Sequence, residues 1–211
     1  MESRKREARK GMSNALKKKR RFDPKGYEDR GKMQQIQKNK TLSEKCFTEI
    51  FDSMQLINFT VLYAPTEDGG FNFSKKKLQN FNEILTRHNQ EYDDGGLTST
   101  AIEEKFKEKF DFDCRYEAKN FPYRPKMKMY GGKKLKSMTE HKIALISING
   151  AIETYLILAI HTLHENYRFN KDMIWKWWNK FKEYSELYVD GLTDEFIIQY
   201  FKDQCELTVN K

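Results

Sequence analysis

The side chains best suited to covalent or metal chemistry are few and scattered. Cys46, Cys114 and Cys205 lie far apart, so no CxxC spacing offers a zinc cage and a disulfide scaffold is excluded, which fits a reducing cytoplasm. His161 and His164 stand three residues apart with Glu165 alongside, while His88 and His141 stand alone. Such a pair holds a transition metal when further ligands follow at fixed spacing, as in HExxH, and no such set accompanies it. These read as solvated or core-edge histidines. No P-loop, GxGxxG or GxSxG motif occurs, and Gly69-Gly70, Gly95-Gly96 and Gly131-Gly132 read as turns. With Gly191 at position 6 of a calcium loop, Tyr188 falls at position 3 and Ile197 at position 12, where carboxylates are required. No catalytic residue, metal or cofactor is assigned, and a non-enzymatic protein is expected.

The chemistry that is dense in this sequence is electrostatic. The 211 residues carry 39 Lys+Arg against 31 Asp+Glu, a net charge of +8. Divided along the chain, residues 1–40 carry +10, 41–116 carry −5, 117–137 carry +6 and 138–211 carry −3. The basicity therefore belongs to two segments set against a mildly acidic remainder.

The first segment contains Arg4, Lys5, Arg6, Arg9, Lys10, the run Lys17-Lys18-Lys19-Arg20-Arg21, and Lys25. Its few apolar residues (Ala15, Leu16, Phe22, Tyr27, Ile36) cannot offset the entropy of ordering it, so residues 1–43 are expected to form a disordered arm. It lacks the apolar stretch of a secretory signal, and Glu2, Glu7, Asp23, Glu28 and Asp29 are foreign to a transit peptide. Either the arm neutralises the phosphates of a nucleic acid, or it is a solubilising tail; the 17–21 run is denser than solubility requires. The second segment, within a linker expected over 117–140, interleaves Phe121, Tyr123 and Tyr130 with Lys119, Arg124, Lys126, Lys128, Lys133 and Lys134. Pro122, Pro125 and Gly131-Gly132 oppose a helix there. Cations beside stacking rings suit single-stranded nucleic acid, and the alternative is a linker whose rings dock on its neighbours.

The elements that must position these segments are helical. Residues 54–95 align without a gap over 150–191, placing Phe81 over Trp177, Leu85 over Phe181, Tyr92 over Tyr188 and Asp94-Gly95 over Asp190-Gly191. An internal repeat of two three-helix units is expected, at 44–116 and 141–211. In the second unit a mostly apolar core helix runs from Ile143 to His164, its Ser147, Asn149, Glu153 and Thr154 being too polar for a bilayer. Asn170 caps a helix to about Tyr188, and Thr193 caps a third helix. The first unit repeats the later helices after Ser74 and after Thr98 or Thr100, but its Phe59–Tyr63 stretch is β-prone and leaves a short strand open. The fold class is all-α, a pseudo-dimer of three-helix units behind a basic arm.

Trp177 falls on the inward stripe of its helix, whereas Trp175 and Trp178 replace Gln79 and Asn82 of the first copy. Those two rings either pack between units or anchor a protein partner. The stretch Ile143–Leu207, above all the Leu163–Phe169 run followed by an aromatic-basic helix and Asp190-Gly191, resembles small helical proteins of Gram-positive phages and mobile elements. That resemblance implies an accessory or regulatory protein. Two functions follow as expectations: nucleic-acid binding through the arm and linker, or inhibition or adaptation of a host nucleic-acid enzyme through Trp175 and Trp178. Neither involves a membrane.

Overall fold

The computed structural model describes residues 24–95, 99–122, 135–189 and 199. Among these there are six helices and no strand: α1 (Pro24–Tyr63), α2 (Lys75–Asp93), α3 (Ser99–Phe110), α4 (Cys114–Lys119), α5 (Met138–Tyr167) and α6 (Lys171–Val189). The protein is all-α. The chain divides into two units, Met1–Thr41 and Leu42–Lys211.

Within the second unit α5 is the element on which the others rest, because its sequence is apolar on most sides. Thirteen of its residues are buried, from Ala144 to Leu163. A capping box starts it: Ser137 Oγ accepts the Glu140 N–H at 3.2 Å, and Glu140 Oε2 accepts the Ser137 N–H at 3.2 Å, an arrangement that stabilises a helix by about 1 kcal/mol. Arg168 ends it in the left-handed conformation (φ 58°), while the Phe169 N–H reaches back to Leu163 O at 3.1 Å. Phe169 then buries against Phe71, with ring centroids 4.9 Å apart. One residue later, Asn170 Oδ1 accepts the Met173 N–H at 3.0 Å and starts α6. By length and composition α5 could cross a bilayer, yet 61% of its most apolar window is buried inside the protein, where α2, α3 and α4 pack against it.

Helix α2 begins at Ser74, whose hydroxyl accepts the Lys77 N–H, and buries Leu78, Phe81, Leu85 and His88 on one face. The stretch of α1 from Leu42 onward joins the same core through Cys46, Ile50, Met54, Ile57 and Val61, with Phe51 edge-on to Tyr155 at 5.2 Å. The three tryptophans of α6 direct their indole N–H groups to three other elements. Trp175 donates to Phe110 O at 2.9 Å, Trp177 to Asn58 Oδ1 at 2.8 Å, and Trp178 to Glu117 Oε2 at 2.5 Å.

Several expectations change here. Phe59–Tyr63 is helical, because Phe59, Val61 and Leu62 are fully buried on α1 and tertiary packing overrides their β propensity. The stretch 24–43, expected to be disordered, is also helix. Pro24 suits a first helical position, and Lys, Gln and Met propagate a helix whose nucleus is set by the buried residues downstream. The linker expected from residue 117 starts later, since α4 carries buried Cys114 and Ala118 onto α5. Residues of 44–116 and 141–186 enter one hydrophobic core instead of two. Helices α2 and α6 begin and end 96 residues apart, but this equality alone does not establish a duplication. The third helix expected after Thr193 lies outside the described residues, apart from Gln199.

Two glycines give opposite predictions. A Cβ on Gly150, inside α5, meets nothing within 4 Å, whereas one on Gly70 collides with the Ala64 carbonyl. Gly150→Ala should stabilise the protein by about 1 kcal/mol through helix propensity alone, and Gly70→Ala should destabilise it. Urea midpoints at constant m-value check both.

Candidate nucleic-acid interface

The residues assigned to polyanion binding fall into three groups. Arg4, Lys5, Arg6, Arg9, Lys10, Lys17, Lys18, Lys19, Arg20 and Arg21 lie outside the described residues, as do Tyr123, Arg124, Lys126, Lys128, Tyr130, Lys133 and Lys134. Lys25 lies on α1, and Lys119 is exposed at the end of α4. The structure adds Lys32, Lys38 and Lys40, all exposed on α1. A segment expected to be unstructured has no helical face on which to place these three.

Phe121 does not serve as a stacking ring. It is 2% exposed, stacked on Trp178 at 5.3 Å and against Phe181 at 5.7 Å. Leu135, at the other end of the basic stretch, is 8% exposed. Residues 122–134 are therefore bracketed by two side chains sunk in the core, and Lys136 is exposed immediately after.

The protein-binding assignment is corrected in the same way for Trp178, whereas Trp175 keeps part of its ring exposed. Trp178 is fully buried; its N–H goes to Glu117, and Lys182 Nζ lies 5.4 Å over its ring and 3.9 Å from the same carboxylate. Trp175 is half-buried and lies against Phe112 at 5.0 Å. Alignment with Gln79 and Asn82 is a poor guide to these two rings, because α6 meets neighbours on sides where α2 has different ones.

The histidines form a cluster between α2, α3 and α5. His88 Nδ1 lies 3.0 Å from Thr162 Oγ1, whose own hydrogen is committed to Leu158 O at 2.8 Å. His88 must therefore donate from Nδ1, which fixes its neutral tautomer. Its ring lies 4.8 Å from that of His161, whose Nδ1 is buried without a hydrogen-bond partner. His164 donates from Nδ1 to Phe169 O at 2.9 Å, so its Nε2 accepts from the Lys109 ammonium at 2.7 Å. Burial lowers the His88 pKa below 6.5, with Glu91 and Glu165 opposing and Arg87 assisting. Burial also lowers that of His161, assisted by His88, Lys105 and His164 and opposed by Glu165. Lys105 bonds Glu165 at 2.5 Å and keeps that carboxyl below its usual range. Among the described residues no group of three or more His, Cys, Asp or Glu side chains is placed to hold a metal, and this cluster reads as packing.

No protein-family model, curated protein or solved structure matches the chain.

The buried ring and the buried imidazoles each make a prediction. Phe121→Ala should cost about 3–5 kcal/mol in denaturant unfolding, as for a buried ring, where a solvent-facing stacking ring would cost little. Two imidazoles held below 6.5 leave the folded chain binding fewer protons than the unfolded chain, so stability is full above about pH 6.5 and falls as the pH drops through it. Urea midpoints from pH 7.5 to 5.5 should decline, and His161→Gln should flatten that decline.

Proposed function

We propose that the protein is a non-enzymatic, phage-type accessory or regulatory factor that binds nucleic acid through its basic N-terminal arm, with the basic stretch around 119–136 as a second contact. The observation that carries this reading is the separation of charge. Residues 1–40 hold +10 and 117–137 hold +6, while the remaining helical body holds −8. A phosphate backbone is attracted by the first two and repelled by the third, so the site of contact is set by charge alone. The exposure of Lys32, Lys38, Lys40, Lys119 and Lys136 supports the same reading. The rival, an inhibitor or adaptor of a host nucleic-acid enzyme, loses Trp178 to the core and keeps only the half-buried Trp175 of its two anchors.

The test is fluorescence anisotropy of the full chain on labelled DNA and RNA across a salt series. The logarithm of affinity should fall linearly with that of salt. Neutralising Lys17–Arg21 to Gln should lessen the slope by about 0.9 for each duplex phosphate that the run would otherwise neutralise. Absent or salt-independent binding to both DNA and RNA overturns the reading.

A further inference from the structure

Resting on that reading, we infer that the helical stretch 24–41 of α1 binds double-stranded DNA in the major groove, with Gln34, Gln35 and Asn39 facing base edges, Lys38 among them, and Lys32 at the flank of that face reaching phosphates. The stretch belongs to a unit of its own, Met1–Thr41. From residue 32 to residue 41 every side chain is exposed except Asn39, which is half-buried, and the only apolar ones are Met33 and Ile36, 68% and 62% exposed. A helix that is polar nearly all round gains little from an apolar core and is suited to a polar partner.

The composition identifies that partner. No carboxylate occurs from Arg30 to Ser43, and Arg30, Lys32, Lys38 and Lys40 all lie within that span. Lysines alone would describe any polyanion. The six residues 34–39, however, contain Gln34, Gln35, Gln37 and Asn39, and side-chain amides carry a donor and an acceptor in one plane, the pattern that pairs with the N6 and N7 of adenine. At about 100° per residue, Gln34, Lys38, Gln35 and Asn39 share one side of the helix, and Ile36, Lys40, Met33 and Gln37 the other. Gln35 Nε2 bonds Asn39 Oδ1 at 2.9 Å, coupling two of the amides across one turn.

The shape of the element separates the possible nucleic acids. Eighteen helical residues span about 27 Å with a diameter of about 10–12 Å, which the major groove of B-form DNA, about 12 Å wide, admits. The major groove of A-form RNA is too narrow for side chains to read. Single strands are held by stacking on successive aromatic rings, and the stretch 24–41 holds one aromatic residue, Tyr27.

The full-length protein should be titrated by anisotropy at one salt concentration with a duplex DNA, the duplex RNA of the same sequence and the single DNA strand. The duplex DNA should bind about ten-fold more tightly than either. Selection from duplexes with a randomised core should enrich an adenine-containing motif with the native chain and none with Q34A/Q35A/N39A, a variant that should leave the circular-dichroism spectrum and the salt slope unchanged. K32Q should instead weaken all duplexes alike and lessen the slope. Equal or tighter binding of duplex RNA or single strands, or enrichment unaffected by the amide substitutions, overturns the groove assignment while leaving nucleic-acid binding intact. Failure to bind any of the three overturns both.

Discussion

The arrangement of the body depends on three indole N–H groups within four residues of α6. Side chains at 175, 177 and 178 point in different directions around a helix, since each residue turns about 100°. A buried indole N–H must find an acceptor or leave a costly orphan. Here the acceptors lie on three separate elements: Phe110 O closing α3, Asn58 on α1 and Glu117 on α4. Turning α6 by one residue would break all three bonds together, so the tryptophans fix its rotation and register as well as filling space. Phe181, one turn later, meets Trp177 at 5.3 Å and Trp178 at 5.7 Å, which continues the same aromatic wall.

The shortest element owes its existence to that wall. A six-residue helix has too few hydrogen bonds to offset its nucleation. Yet α4 forms, because Asp113 caps it by accepting the Tyr116 N–H at 2.9 Å, Cys114 and Ala118 bury against α5, and Glu117 accepts from Trp178. Phe121 follows directly into the ring cluster. Burial pushes the Cys114 thiol far above its usual range, and its side chain packs in the core.

What was legible in the sequence was whatever a single helix decides for itself. The spacing of Leu78, Phe81 and Leu85 and of Ile174, Trp177 and Phe181 marked the inward faces of α2 and α6, and both triplets are buried. Ser74 and Asn170 announced their N-termini, and both accept the expected backbone N–H. The misreadings all concern groups whose state is set by distant residues. Phe121 sits among lysines and prolines in sequence, and only the approach of Trp178 and Phe181 shows that it is core. Phe59–Tyr63 has the composition of a strand, but Phe59, Val61 and Leu62 are fully buried on α1. Ser137 and Glu140 form a capping box that pattern alone could have found; it was obscured by the basic stretch just before it.

The same division bears on the proposed nucleic-acid contact. Among the described residues, the core takes up most aromatic rings and the three indole N–H groups, the kind of anchor from which protein interfaces are built. The exposed groups of residues 32–41 are mainly cations and amides. The exposed part of α1 carries both on a backbone that needs no separate nucleation, because the helix propagates from the buried residues between Cys46 and Leu62. An unstructured chain of the same composition would have to lose the entropy of ordering each residue on contact with a ligand. A segment already helical avoids most of that loss, so under the proposed reading weak individual contacts, one lysine to one phosphate and one amide to one base, would sum to a useful affinity.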